Sequence, residues 1–167
     1  MRKIRVTAIG LFVVLLFGAG LAQKVAQHLL SADELKNLVP SEFFFRGKKA
    51  PTQLRNATGF QTADGKVTFA ALVDASGYST AIQEKYQGML ITESKLNIGG
   101  SDLPPGAYGF GFTGDKFVVM TVANEDALGA PYQIDTALKR AVPLKMAEDG
   151  STYRLYAGKK WIAVKPE

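Results

Sequence analysis

The chain changes its hydrophobic period once, near Pro40. Before that proline, apolar residues recur at helical spacings across residues 23–39. Ser31 and Glu34 form a capping-box pattern, in which the serine hydroxyl and the glutamate carboxylate satisfy free amides of the first helical turn. This pattern predicts one short helix that begins at Ala32. Pro40 ends it, because proline disfavours helical backbone at the residue before it.

Beyond Pro40 the hydrophobic period is two, which is the period of a strand. Residues 66–74 alternate between the two faces, and residues 116–123 are apolar on both, which predicts a central strand covered on each side. Further extended segments are predicted at residues 42–46, 53–61, 89–93, 95–98, 153–156 and 161–164. The fold class is therefore mainly β: a single antiparallel β-sandwich or β-barrel of about 7–9 strands with one short N-terminal helix.

Turn signals separate these segments. Asp64-Gly65 and Gly158 predict hairpin turns, because glycine supplies the positive φ that such turns need. Residues 77–87 fit either a helical turn or a strand. Residues 125–139 predict a long loop, with a possible helical turn at residues 135–140.

A separate apolar run, residues 6–21, opens the chain behind the basic residues Arg2, Lys3 and Arg5. A basic start, an apolar middle and a small residue at the end are typical of a secretory signal peptide. We expect cleavage after Ala22 and a periplasmic or extracellular location. The alternative is an uncleaved anchor, but the run is shorter than the roughly 20 residues of a spanning helix. No stable membrane span is expected after cleavage.

This cleavage changes the size and charge of the chain. Removing residues 1–22 from 167 leaves 145 residues, which we divide into an N-terminal helical segment, residues 23–40, and one β-domain, residues 41–167. Three of the 20 basic residues and none of the 15 acidic ones precede the cut, so 17 basic residues remain and the net charge falls from +5 to +2. With no basic stripe left, nucleic acid is not expected as a partner.

The residue types that are missing limit the possible chemistry. The chain has no cysteine, which excludes disulfides, thiol catalysis and thiolate metal sites. Its single histidine, His28, cannot form a multi-histidine metal site. No metal, cofactor or catalytic residue is therefore expected, and the chain is predicted not to be an enzyme. A carboxylate-based hydrolase or lyase using Asp74 or Glu84 remains the alternative.

The most specific local pattern is residues 98–108, which read IGGSDLPPGAY. Gly99-Gly100 closes one turn, and Pro105-Gly106 suits the central positions of a type II turn. The stretch resembles the I-G-G-x-x-L-P-x-G-x-Y signature of an uncharacterised, domain-of-unknown-function family of exported bacterial β-domains. The resemblance covers about residues 89–122 and implies a small envelope-associated β-domain, without assigning catalytic residues.

Strict alternation in residues 107–112 places three aromatic rings on one face of a strand and small residues on the other. The favoured interpretation is a core strand whose glycines admit a large ring such as Trp161 or let the sheet bend. The alternative is a surface on which a sugar or lipid stacks. The candidate ligand-binding residues are Tyr78, Tyr86, Tyr108, Phe110, Phe112 and Trp161.

These observations predict an exported, non-catalytic β-domain. It would bind a small apolar or sugar-like (glycan) ligand, or a protein partner in the cell envelope. A purely structural envelope subunit is the other alternative, beside the carboxylate hydrolase or lyase.

Overall fold

A computed structural model describes residues 26–167 of the chain. The predicted signal peptide and its cleavage site after Ala22 lie outside the described residues. Among residues 26–167, no helix combines the length and the apolar character needed to cross a bilayer.

The described residues form a β-sandwich of two antiparallel sheets, with 57% strand and 8% helix, so the mainly β prediction is confirmed. The strands in chain order are β1 (His28–Leu29), β2 (Glu42–Phe45), β3 (Lys48–Gln61), β4 (Val67–Val73), β5 (Gly88–Thr92), β6 (Leu96–Ile98), β7 (Ser101–Leu103), β8 (Gly106–Phe112), β9 (Lys116–Thr121), β10 (Asp126–Pro131), β11 (Gln133–Ile134), β12 (Val142–Asp149), β13 (Thr152–Gly158) and β14 (Lys160–Pro166). The helices are α1 (Ala32–Leu38) and α2 (Thr80–Gln83).

The large sheet has the strand order β1-β3-β4-β5-β8-β9-β10, and β2 pairs with β3 beside this path. The small sheet has the order β12-β13-β14-β6-β7, and β11 pairs with β14. The 14 strands exceed the expected 7–9 because strands such as β1 and β11 have only two residues each. Pieces this short carry no alternation that a sequence pattern could reveal.

Helix α1 begins at Ala32 as predicted. The Ser31 backbone N–H donates to Glu34 Oε2 at 2.8 Å, and the Glu34 backbone N–H donates to Ser31 Oγ at 3.3 Å, which completes the capping box. Residues 77–87, which fitted either a helical turn or a strand, contain the second helix, α2, which is a single turn.

The prediction of a long loop at residues 125–139 is wrong. Strands β10 and β11 occupy most of it, because β10 pairs along β9 and β11 pairs with β14. This tertiary pairing overrides the weak strand propensity of a segment that contains Gly129. No helical turn forms at residues 135–140; Asp135 Oδ1 instead accepts from the backbone N–H groups of Ala137 and Leu138. Strand β12 was not predicted.

The glycine turns differ from each other. Gly99 and Gly100 have φ of 56° and 92° and join β6 to β7. Gly65 has φ of 86° between β3 and β4, and Gly158 has φ of 68° between β13 and β14, so these three predicted turns are confirmed. The prediction of a type II turn at Pro105-Gly106 is wrong, because Gly106 has no positive φ and begins β8. Its missing side chain leaves room for Tyr108, whose hydroxyl would lie 2.9 Å from a Cβ at Gly106.

Two hydrophobic clusters cover opposite faces of the large sheet. The inner cluster lies between the two sheets, where Phe110 and Phe117 of the large sheet meet Leu155 and Ile162 of the small one. The outer cluster lies under α1, β2 and α2. Strand β9 supplies buried residues to both clusters, which confirms the predicted central strand covered on each side.

Candidate functional site

The aromatic row of β8 lies in the inner cluster. Tyr108, Phe110 and Phe112 are 9%, 0% and 5% exposed, and all three pack between the sheets. The Tyr108 hydroxyl donates to the Pro104 carbonyl oxygen at 2.9 Å, so its polar atom has a partner within the fold. These rings are therefore core side chains and do not form an open surface for a ligand.

The bare face of β8 admits rings from the outer cluster. A Cβ at Gly109 would lie 2.6 Å from Cε2 of Phe45 and 3.0 Å from Cδ2 of Tyr86, so both rings rest against backbone. The ring expected there, Trp161, lies instead on β14 of the small sheet, where the Arg154 guanidinium sits 4.3 Å from its ring centroid.

Three rings of the outer cluster form one group, which we call the outer aromatic cluster: Phe45, Tyr78 and Tyr86. The Phe45 and Tyr86 rings stack with centroids 4.0 Å apart and an interplanar angle of 14°. Tyr78 meets Tyr86 edge-on at 5.3 Å and Phe45 at 6.2 Å. Of the six candidate ligand-binding residues, the structure thus brings Tyr78 and Tyr86 together, apart from the β8 row and from Trp161.

The two tyrosine hydroxyls of this cluster have different surroundings. Tyr78 donates to the carbonyl oxygen of Phe45, at 2.8 Å, or of Lys48, at 3.0 Å. The Tyr86 hydroxyl is buried and has no hydrogen-bond partner among residues 26–167. Burial raises the pKa of Tyr86 well above its usual range, and Tyr78 adds to the rise. Tyr86 therefore stays protonated, as a donor without an acceptor.

Tyr86 lines a groove of about 470 Å³ that we call the glutamine groove. Its other polar lining comes from β3, from the residues after β4, and from α2 and the residues that follow it: Gln53, Asp74, Ser76, Gln83 and Gln87. Apolar side chains complete the lining: Leu72, Val73, Ala75, Pro143 and Ala157.

Local hydrogen bonds hold the polar residues of the groove in place. Gln87 Oε1 accepts from the Phe112 N–H at 3.0 Å while its Nε2 donates to the Phe112 carbonyl oxygen at 3.1 Å. Gln83 Nε2 donates to the Tyr78 carbonyl oxygen at 2.7 Å, which leaves its amide oxygen available. Hydrogen bonds from Ser76 lower the pKa of Asp74, so this carboxylate is charged at neutral pH.

The two carboxylates considered for catalysis do not share a groove. Asp74 lines the glutamine groove, whereas Glu84 lines a different groove beside α2, and both residues are exposed. Within the described residues, no three His, Cys, Asp or Glu side chains lie close enough together to hold a metal ion.

The sequence did not indicate the glutamine side chains of the groove. Gln53 lies far in sequence from Gln83 and Gln87, and no motif links the three. Gln53 reaches the groove because β3 pairs with β4, where its Nε2 donates to the Val73 carbonyl oxygen at 3.4 Å.

Comparison of the chain with protein-family models, with curated proteins and with solved structures gave no match. The resemblance of residues 89–122 to a family of exported β-domains stays a prediction.

Proposed function

We propose that the chain is an exported, non-catalytic binding domain of the bacterial cell envelope that takes a small sugar-like ligand in the glutamine groove. The observation that carries this proposal is the buried Tyr86 hydroxyl without a partner among residues 26–167. A buried donor left unsatisfied costs about 1–3 kcal/mol, so an acceptor brought by a ligand would recover that free energy.

The lining of the groove favours a sugar over a purely apolar ligand. Sugar hydroxyls donate and accept. The groove offers acceptors at the amide oxygen of Gln83 and the charged carboxylate of Asp74, and the buried Tyr86 hydroxyl becomes a donor once a ligand displaces the groups that cover it. Apolar contacts from Leu72 and Pro143 suit the C–H faces of a sugar ring.

No observation favours the alternative of a hydrolase or lyase. Asp74 and Glu84 line separate grooves, and a glycosidase needs two carboxyl groups that flank one bond, about 5–10 Å apart.

Saturation-transfer NMR tests the ligand. The panel is glucose, galactose, N-acetylglucosamine and maltose, each mixed with the purified domain, and we expect transfer to at least one sugar. Tyr86→Phe should remove the transfer. Tyr132→Phe should keep it, because the Tyr132 hydroxyl bonds to the Gly114 carbonyl oxygen and Tyr132 does not line the groove. Absence of transfer from all four sugars, or equal transfer in Tyr86→Phe, would overturn the proposal.

N-terminal sequencing tests the export. The full chain expressed in a Gram-negative bacterium should appear in the periplasmic fraction or the medium with Gln23 as its first residue. A product that begins at Met1 and stays in the cytoplasmic fraction would contradict it.

A further inference from the structure

A second groove, of about 700 Å³, lies beside α2 and is lined by three lysines from separate parts of the fold. Lys85 follows α2, Lys116 begins β9, and Lys160 begins β14 of the small sheet. We call it the lysine groove. Lysines this far apart in sequence meet here only because the two sheets and α2 converge at this edge.

Acidic residues neutralise the lysine groove only in part. Asp126 lines the groove and forms an ion pair with Lys85, with Nζ and Oδ1 3.6 Å apart. Glu84 is the other acidic residue of the lining. Lys116 and Lys160 form no ion pair among residues 26–167. Three positive charges therefore face two negative ones.

The position of Lys160 is fixed by neutral groups. Its Nζ donates to the Thr113 carbonyl oxygen at 3.3 Å and lies 4.8 Å from the centroid of the Tyr132 ring. A carbonyl oxygen and a ring face orient an ammonium group without cancelling its charge. Two of its three hydrogens stay available to a ligand.

The lysine groove has free space beside Gly114. This glycine lines the groove, and a Cβ there would meet nothing within 4 Å. Val118 and Phe112 supply apolar surface beneath the lysines. The groove thus offers room for a compact molecule beside a net positive charge.

We infer that the lysine groove binds a small molecule that carries an anionic group, through charge-assisted hydrogen bonds from Lys116 and Lys160. The site is exposed, so binding is modest and weakens as salt screens the charges. The lysine groove shares Gln87 with the glutamine groove, but the three lysines line only the lysine groove, so the test of this inference does not depend on the proposed function.

Two-dimensional amide NMR tests the inference, with sodium D-glucuronate as the anionic probe and D-glucose as its neutral match at equal ionic strength. Glucuronate should shift the amides of Thr113, Gly114 and Lys116, and glucose should not. Equal shifts from both sugars would overturn the inference. So would glucuronate shifts confined to Asp74 and Ser76, since these residues belong to the other groove.

Charge variants move the affinity in both directions. Lys116→Gln should raise the Kd for glucuronate about threefold, and Asp126→Asn, which frees Lys85, should lower it about twofold. The control is Lys139→Gln, at an exposed lysine outside the groove, which should leave the Kd unchanged. An equal rise in Lys139→Gln, or no gain in Asp126→Asn, would show general charge attraction and contradict a defined site.

Discussion

The two faces of the large sheet use the same strand in opposite ways. Toward the small sheet, β8 presents Tyr108, Phe110 and Phe112, which fill the interior, and the Tyr108 hydroxyl has a partner. Toward the outside, β8 presents bare backbone on which Phe45 and Tyr86 rest, and the Tyr86 hydroxyl has no partner in the described part of the chain.

The difference supports the proposal that the inner face serves stability and the outer face serves binding. The inner face obeys the rules of a packed core, in which rings fill space and polar atoms are paired. The outer face breaks one of those rules at the Tyr86 hydroxyl, beside a groove lined by polar side chains. The other buried polar atom without a partner among residues 26–167, Asn124 Oδ1, lies in the turn between β9 and β10. Violations of this kind concentrate at functional sites, which is why we place the ligand on the outer face.

The largest expected effect lies on the inner face. Phe110→Ala should lower the free energy of unfolding by about 3–5 kcal/mol, because Phe110 is fully buried and its removal leaves a cavity. Urea unfolding measures the change. A loss below about 1 kcal/mol would mean that the region between the sheets is loosely packed, and the contrast between the faces would disappear.

The next effect concerns the bare backbone of β8. Gly109→Ala should cost about 1–3 kcal/mol, because the new methyl group collides with the Phe45 ring. The matched control is Gly114→Ala, at a glycine that has open space and no positive φ, and it should change little. Equal stability of both variants in urea would show that the outer aromatic cluster does not rest on Gly109.

The hydroxyl of Tyr78 should have a smaller effect. Tyr78→Phe leaves the carbonyl oxygens of Phe45 and Lys48 without this donor, and we expect a loss of about 1 kcal/mol in the free energy of unfolding. An unchanged midpoint in urea would indicate that the hydroxyl does not bond to either carbonyl oxygen.

The smallest effect lies at α1, which covers part of the outer face. The pKa of His28 is raised, first by its hydrogen bond to the Ala26 carbonyl oxygen and next by its hydrogen bond to Glu34. The pKa of Glu34 is lowered to about 2, mainly by its hydrogen bonds with Ser31. The histidine contribution is complete below its unfolded pKa of about 6.5 and is lost as pH rises through the raised value. The glutamate contribution is present above the unfolded value of 4.5 and is lost as pH falls toward 2.

The folding of α1 should therefore be most favoured between about pH 4.5 and 6.5. NMR titration checks the cause: Glu34→Gln should bring the pKa of His28 closer to 6.5, without changing the amide signals around the glutamine groove. A His28 pKa that is the same in the variant and the wild type would rule out this pairing.

Local patterns were enough to predict the fold class and the first helix. The capping box at Ser31 and Glu34, the alternation of residues 66–74 and the glycines at 99 and 100 all act within a few residues, so the sequence shows them directly. Strand β10 was missed because its evidence lies in β9, with which it pairs. Strand β12 was missed although Val142, Leu144 and Met146 alternate with less apolar residues, so the sequence did carry a signal there.

The candidate site was predicted only in part, for the reason that applies to β10. Aromatic composition pointed to Tyr78 and Tyr86, but it gave equal weight to Phe110, which is core, and to Trp161, which lies on the small sheet. Whether a ring faces a core or a groove depends on which elements cover it. The unpaired hydroxyl of Tyr86 is a property of the packed structure alone.

The most direct test is the free energy of unfolding of ligand-free Tyr86→Phe, measured in urea beside the wild type and Tyr78→Phe. If the Tyr86 hydroxyl is kept for a ligand, its removal should leave the protein equally stable or more stable by about 1 kcal/mol, while Tyr78→Phe loses stability. A loss in Tyr86→Phe as large as that in Tyr78→Phe would mean that the hydroxyl serves the fold, and would contradict the assignment of the outer face to binding.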